Sequence, residues 1–135
     1  MPNEFNTKIT LEASLSPSED IDKVIEAMKN VLGGSHAEVS RRGGTVRLFS
    51  DDRHALDMLR NQLRDRQVRG AARRVLLSET VGDLTTVMLN RQAAAVGVIA
   101  LCNSPDQSPL GPIYVRLQSK EISAVIDWLT AYDSG

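Results

Sequence analysis

Leu63–Leu77 reads LRDRQVRGAARRVLL, and whether it forms one helix or parts of two decides how the chain packs. At roughly 100° per residue, Arg66, Arg69 and Arg73 share one helical face. Val68, Ala71, Ala72 and Val75 share the opposite face. The preceding apolar positions, Leu56, Leu59 and Leu63, define a stripe that points elsewhere. One straight helix cannot press both stripes into one core, so the spacing predicts a break near Asp65–Gln67 and two consecutive helices.

Working outward, six arginines lie between Arg60 and Arg74: Arg60, Arg64, Arg66, Arg69, Arg73 and Arg74, with no lysine among them. Guanidinium is planar, permanently charged and able to grip phosphate through two parallel hydrogen bonds. The competing reading is a solvated face with local pairs such as Asp65 with Arg69. Residues 41–74 carry ten Lys/Arg against four Asp, a balance of +6, whereas the rest carries six against thirteen, a balance of −7. The overall net charge of −1 therefore hides a basic segment, which is a pointer to a polyanion.

Lys8–Leu15 alternates apolar Ile9, Leu11, Ala13 and Leu15 with polar neighbours, as a half-buried strand does. Ser16-Pro17-Ser18-Glu19 has the form of a capping box with proline at the first helical position. Ile21, Val24, Ile25, Met28 and Leu32 continue it as a helix that Gly33-Gly34 ends. Ala37–Ser40 and Thr45–Phe49 read as strands of a hairpin turning at Arg41-Arg42-Gly43-Gly44, with both glycines supplying positive backbone angles. Ser50 caps the next helix. After the arginine helix, which ends near Ser78, come a turn at Thr80–Asp83 and a strand at Leu84–Leu89. A second apolar strand is expected at Val96–Leu101, then a loop at Asn103–Pro112, a strand from Ile113 to Leu117 and a helix over Glu121–Ala131.

The expected order is β-α-β-β-α-α-β-β-β-α. The fold class is α+β: one compact domain over residues 1–135, with a mixed, largely antiparallel sheet and helices packed on a face. Apolar content of 41% and charged content of 24% suit a globular protein. No apolar run approaches the length of a membrane span, and MPNEFNTK lacks the pattern of a signal peptide. With a lone cysteine, Cys102, these features lead us to expect a cytoplasmic protein.

Catalytic and metal signatures are missing from the sequence. His36 and His54 have no ligand partners at metal spacing, and no phosphate-binding glycine loop or nucleophile elbow occurs. We therefore expect a non-catalytic protein with no metal and no cofactor. Asn90, Arg91 and Gln92, between two apolar runs, could bond phosphate, ribose or base edges, or could satisfy loop backbone. Pro109-Leu110-Gly111-Pro112 reads as a rigid architectural turn.

Arg66-Gln67-Val68, Ala72-Arg73-Arg74-Val75-Leu76-Leu77, Leu89-Asn90-Arg91-Gln92-Ala93-Ala94 with Gly97, Pro109-Leu110-Gly111-Pro112-Ile113 and Trp128-Leu129 together resemble an archaeal family. Its members are described as RNA-binding-domain or predicted exosome-associated proteins. The resemblance spans nearly the whole chain. It implies a fold similar to ribosomal protein L-five, a homodimer in some members and an RNA role. It also implies, as an alternative, an accessory role, either exosome-associated or as the companion of a dephospho-coenzyme A kinase that some relatives resemble by neighbourhood or fusion. This chain departs from the family pattern at Gly70, Ala95 and Val98, and carries Arg91 where relatives have lysine.

The candidate nucleic-acid contacts are Arg41, Arg42, Arg60, Arg64, Arg66, Arg69, Arg73, Asn90, Arg91 and Gln92, with Arg66, Arg69 and Arg73 as the tightest cluster. The aromatics are Phe5, Phe49, Tyr114, Trp128 and Tyr132. So few favour contacts with phosphates or RNA shape over a platform of stacked bases. The alternative is a protein-interaction or accessory module, a homodimer or complex subunit without nucleic acid. It predicts that Arg66, Arg69 and Arg73 are occupied by acids such as Glu79, Asp83 or Asp127.

Overall fold

The structure is a computed structural model that describes residues 6–65 and 68–131. Its strands are β1 (Lys8–Ser14), β2 (Glu38–Arg42), β3 (Thr45–Ser50), β4 (Leu84–Leu89) and β5 (Ile113–Gln118). Its helices are α1 (Ile21–Val31), α2 (Arg53–Asp65), α3 (Arg69–Ser78), α4 (Arg91–Ala95) and α5 (Ile122–Thr130). The strands form one sheet in the order β2-β3-β1-β5-β4. Every strand pairing in it is antiparallel, in keeping with the largely antiparallel sheet expected from the sequence.

Alternation builds the two faces. Ile9, Leu11 and Ala13 of β1, Val46 and Leu48 of β3, Val115 and Leu117 of β5 and Val87 and Leu89 of β4 point into the core. Their intervening neighbours remain half-buried or exposed on the other side. A one-sided antiparallel sheet reads in this way because side chains alternate across the pleat. The helices supply the other half of the core through residues such as Met28, Leu59, Leu76 and Ile126. Burying a leucine or isoleucine of this kind contributes about 1.5–3 kcal/mol.

The helical break falls where the two stripes required it: α2 ends at Asp65 and α3 begins at Arg69. Leu56, Leu59 and Leu63 are buried on α2, while α3 buries Ala72 and Leu76. Leu76 replaces Ala71 and Val75 as the main apolar contact, because α3 lies against both β4 and α5. Thr85, fully buried on β4, donates its hydroxyl to the Leu76 carbonyl and locks that arrangement.

Local expectations change at several points. α1 is capped by Asp20, whose side chain accepts from the Asp22 amide, so Pro17 lies in a turn before the helix. β2 runs to Arg42, which leaves a two-residue turn, and only Gly43 of the pair has a positive φ, +60°. Arg41 and Arg42 thus belong to the strand and project to opposite sides. Val96–Leu101 is not a strand. Asn90 caps the short helix α4, and only Ala100–Cys102 returns to the free edge of β4. There the Asn90 amide donates to the Ala100 carbonyl and the Cys102 amide to the Met88 carbonyl. The apolar run reflects the buried Ile99, since a short apolar run does not distinguish a strand from another buried segment.

Candidate nucleic-acid interface

Three arginines of α2 and α3 converge on the end of α5. Arg60 Nε donates to the Trp128 carbonyl at 2.9 Å, and its Cζ lies 5.0 Å from the centre of the Trp128 ring. Arg69 Nη1 donates to the Ala131 carbonyl at 3.1 Å. Arg73 Nη1 is 2.6 Å from Asp127 Oδ1 and 3.4 Å from Thr130 Oγ1. The last carbonyls of a helix lack intrahelical donors and carry partial negative charge. The last turn of α5 has no basic residue of its own, so arginines from neighbouring helices fill that role. Arg64 is half-buried, and Arg66 lies outside the described residues.

Asn90, Arg91 and Gln92 divide into different roles. The Asn90 side chain accepts from the Ala93 amide at 2.9 Å as the cap of α4. Arg91 is 5% exposed, and its Nη1 donates to both carboxylate oxygens of Glu19, at 2.9 and 2.8 Å. A phosphate cannot reach Arg91 without breaking this buried pair, which corrects its assignment as a surface contact. Gln92 is exposed. Burial alone would raise the Glu19 pKa. Hydrogen bonds from Ser16 and Arg91, with the Arg91 charge, outweigh burial and hold it below the ordinary carboxylate value.

The proline-rich turn completes this locus. Ser108 Oγ accepts from the Arg91 amide and donates to the Gly111 carbonyl. Gly111 has φ +95°, and a Cβ there would lie 3.2 Å from Ser14 Oγ and 3.7 Å from Arg91 Nη2. The Asn90–Ala94 and Pro109–Ile113 motifs therefore meet around one guanidinium, and the turn is architectural as expected.

The open sheet face carries a second set of cations. By register, one rung runs Ser40–Arg47–Glu12–Tyr114–Met88 and the next Glu38–Phe49–Thr10–Arg116–Thr86. Such rungs lie about 7 Å apart along a strand. Glu12 joins them: Arg47 Nε is 2.7 Å from Glu12 Oε1, and Arg116 Nη1 is 3.1 Å from Glu12 Oε2. Burial would raise the Glu12 pKa, but the two arginines overcome this and lower it. The Arg47 side chain keeps 59% of its surface exposed and that of Arg116 keeps 35%. Arg116 Cζ lies 5.8 Å from the centre of the Tyr114 ring. At the hairpin, Ser40, Arg41, Arg42, Thr45 and Arg47 line a cleft of about 360 Å³.

The sequence reading singled out Arg41 and Arg42 in this region but not Arg47 and Arg116. Their signal lay in TVRLFS and IYVRLQ, where each arginine occupies a polar position of an alternating strand. Only the strand order brings them onto neighbouring rungs.

Ser35 Oγ also lies 2.8 Å from His54 Nδ1. The same hydroxyl donates to the Leu32 carbonyl at 2.6 Å, so it can only accept from the imidazole. In that arrangement His54 does not withdraw the serine proton, as an activating base would have to.

A family model described as RNA binding matches residues 8–119. A UPF0201 protein of Sulfurisphaera tokodaii is 38% identical over 126 residues, covering 92% of this chain and 87% of that protein. One from Aeropyrum pernix is 32% identical over 125 residues, covering 90% of this chain and 83% of that protein. A crystal structure of a UPF0201 protein superposes with a TM-score of 0.77 at 27% identity, covering 95% of this chain and 96% of that one. The UPF0201 protein of Methanococcus jannaschii shares the fold, with a TM-score of 0.76 at 24% identity and the same coverage.

Proposed function

Because the chain belongs to the family whose model is described as RNA binding and whose relatives are UPF0201 proteins, we propose that it is a non-catalytic RNA-binding protein that contacts phosphates through its open sheet face. The observation that carries this reading is the distribution of arginines. Arg42, Arg47 and Arg116 lie on the uncovered side of the sheet beside Phe49 and Tyr114, with Arg41 at the exposed hairpin. Arg69 and Arg73, expected with Arg66 to form the phosphate-binding cluster, and Arg60 on the preceding helix bond instead to the end of α5. Arg47 and Arg116 also spend donors on Glu12, but two guanidiniums with five N–H donors each share that one carboxylate, so positive charge and free donors remain on the open face.

The test is fluorescence anisotropy with short single-stranded and structured RNA at low and physiological salt. Binding should weaken with a log–log slope of about −0.7 for each phosphate neutralised on a single strand. Replacing Arg47 and Arg116 with alanine should flatten the slope. Unchanged binding by that double variant would remove the open face from consideration.

A second reading, a protein-interaction module, is favoured by two observations. Arg73 pairs with Asp127, one of the three acid pairings that alternative expects. Leu77, Val81 and Leu84 also lie exposed around the α3–β4 junction, with Val81 77% exposed. Light scattering of the purified chain tests for a homodimer. A monomer at high concentration that becomes an oligomer only with RNA would favour the first reading.

A further inference from the structure

We infer that the cleft where the open face meets the edge of β4 receives one unpaired nucleobase of a bound RNA strand. The inference rests on the RNA-binding reading above and assigns a subsite within it. The cleft is about 190 Å³, and its lining includes Thr86, Met88, Tyr114, Cys102, Asn103 and Glu79. Thr86, Met88 and Tyr114 come from the open face by register. Cys102 is placed beside them by the hydrogen bond that its backbone N–H donates to the Met88 carbonyl.

The lining matches a base better than a phosphate. Val75, Met88 and Tyr114 offer apolar and aromatic contact, while Asn103 and Glu79 provide polar groups for a heterocycle edge. Among the described residues no arginine or lysine lines the cleft, and the Glu79 carboxylate repels a phosphate. The cations stand outside it. Arg116 lies on the rung next to Tyr114 and 5.8 Å from its ring, with Arg47 two strands away on the Tyr114 rung. A strand whose phosphates follow these arginines brings a base to the cleft. The volume is below the 300–1,000 Å³ of pockets that enclose drug-sized ligands, so the occupant is one flat group and not a whole nucleotide. Burial raises the Cys102 pKa, leaving a neutral thiol in the wall. One aromatic in one cleft makes a single subsite, consistent with the scarcity of aromatics in the chain.

The test pairs an RNA octamer with a backbone-matched octamer of abasic nucleotides. Tyr114→Ala should weaken octamer binding about ten-fold more than it weakens abasic binding, the scale of one lost base–aromatic stack. Ultraviolet cross-linking of a 4-thiouridine octamer should map to Tyr114, Met88 or Cys102. If Tyr114→Ala fails to fold by circular dichroism, Met88→Ala reads the same difference. Equal losses on both RNAs, or cross-links confined to other surfaces, would overturn the base subsite while leaving the phosphate surface standing. No RNA binding by the parent at low salt would overturn both.

Discussion

Arg91 Nη1 alone bridges both carboxylate oxygens of Glu19, so this buried pair is made by one nitrogen and not by the two-pronged face of the guanidinium. The side chains of Arg91 and Glu19 keep only 6% and 11% of their surface. Arg91 Nε has no acceptor among the described residues. A lysine ammonium ends one bond short of the bridging nitrogen, but it keeps the positive charge beside Glu19 and removes that unsatisfied donor. Arg91→Lys should therefore cost less than about 1.5 kcal/mol. Arg91→Ala should cost about 3–5 kcal/mol, because it strands a buried carboxylate. Urea unfolding of both variants measures the difference, and equal losses would contradict the single-nitrogen account.

The same pair predicts acid sensitivity. Glu12 and Glu19 both have folded-state pKa values below their ordinary ones. Their ionised forms therefore contribute stability that is fully present above the unfolded carboxylate pKa of about 4.3 and lost as pH falls through the lower folded values. Thermal unfolding followed from pH 7 downwards should show little change from these groups until about pH 5, then a fall. Glu19→Gln should lower stability at pH 7 and reduce the slope of the acid limb.

Replacing Arg60 and Arg69 should act on α5 before it acts on RNA. Each loses a charged hydrogen bond to a carbonyl at the helix end, and Arg60 also loses its contact with Trp128. We expect Arg60→Ala to cost about 1–3 kcal/mol, from the charge-assisted bond and the cation–π contact together. Arg73→Ala, with an exposed ion pair, should cost at most about 1 kcal/mol. RNA affinity measured well below each melting temperature should stay within two-fold of the parent, roughly 0.4 kcal/mol. A steep loss of affinity in folded protein would return α3 to the interface.

Glu12 occupies the two arginines that the open face would offer to phosphate. Glu12→Gln removes that competing charge and leaves an isosteric side chain. RNA affinity should rise by about three- to ten-fold at low salt, equivalent to roughly 0.7–1.4 kcal/mol. A titration with the same octamer checks it, and weaker binding would mean that Glu12 orients the arginines for RNA.

Gly111→Ala meets two obstacles. Its φ of +95° disfavours any side chain, and the new Cβ would press on Ser14 Oγ at 3.2 Å. A loss of about 1–3 kcal/mol is expected by denaturant unfolding, with displacement of the neighbouring Arg91.

The elements that local pattern governs were legible in the chain. Ile9, Leu11 and Ala13 announce β1 by alternation, and the mismatch between the Leu63 stripe and the Val68 stripe locates the α2–α3 break. Both follow from the repeat of a single element, which needs no knowledge of its neighbours. The destination of each arginine was not legible. Arg91 finds Glu19 across 72 positions, Arg116 finds Glu12 across 104 and Arg73 finds Asp127 across 54. A guanidinium advertises only that it needs an acceptor. Which acceptor it meets is decided by strand order and helix packing, because those alone bring distant residues within hydrogen-bonding range.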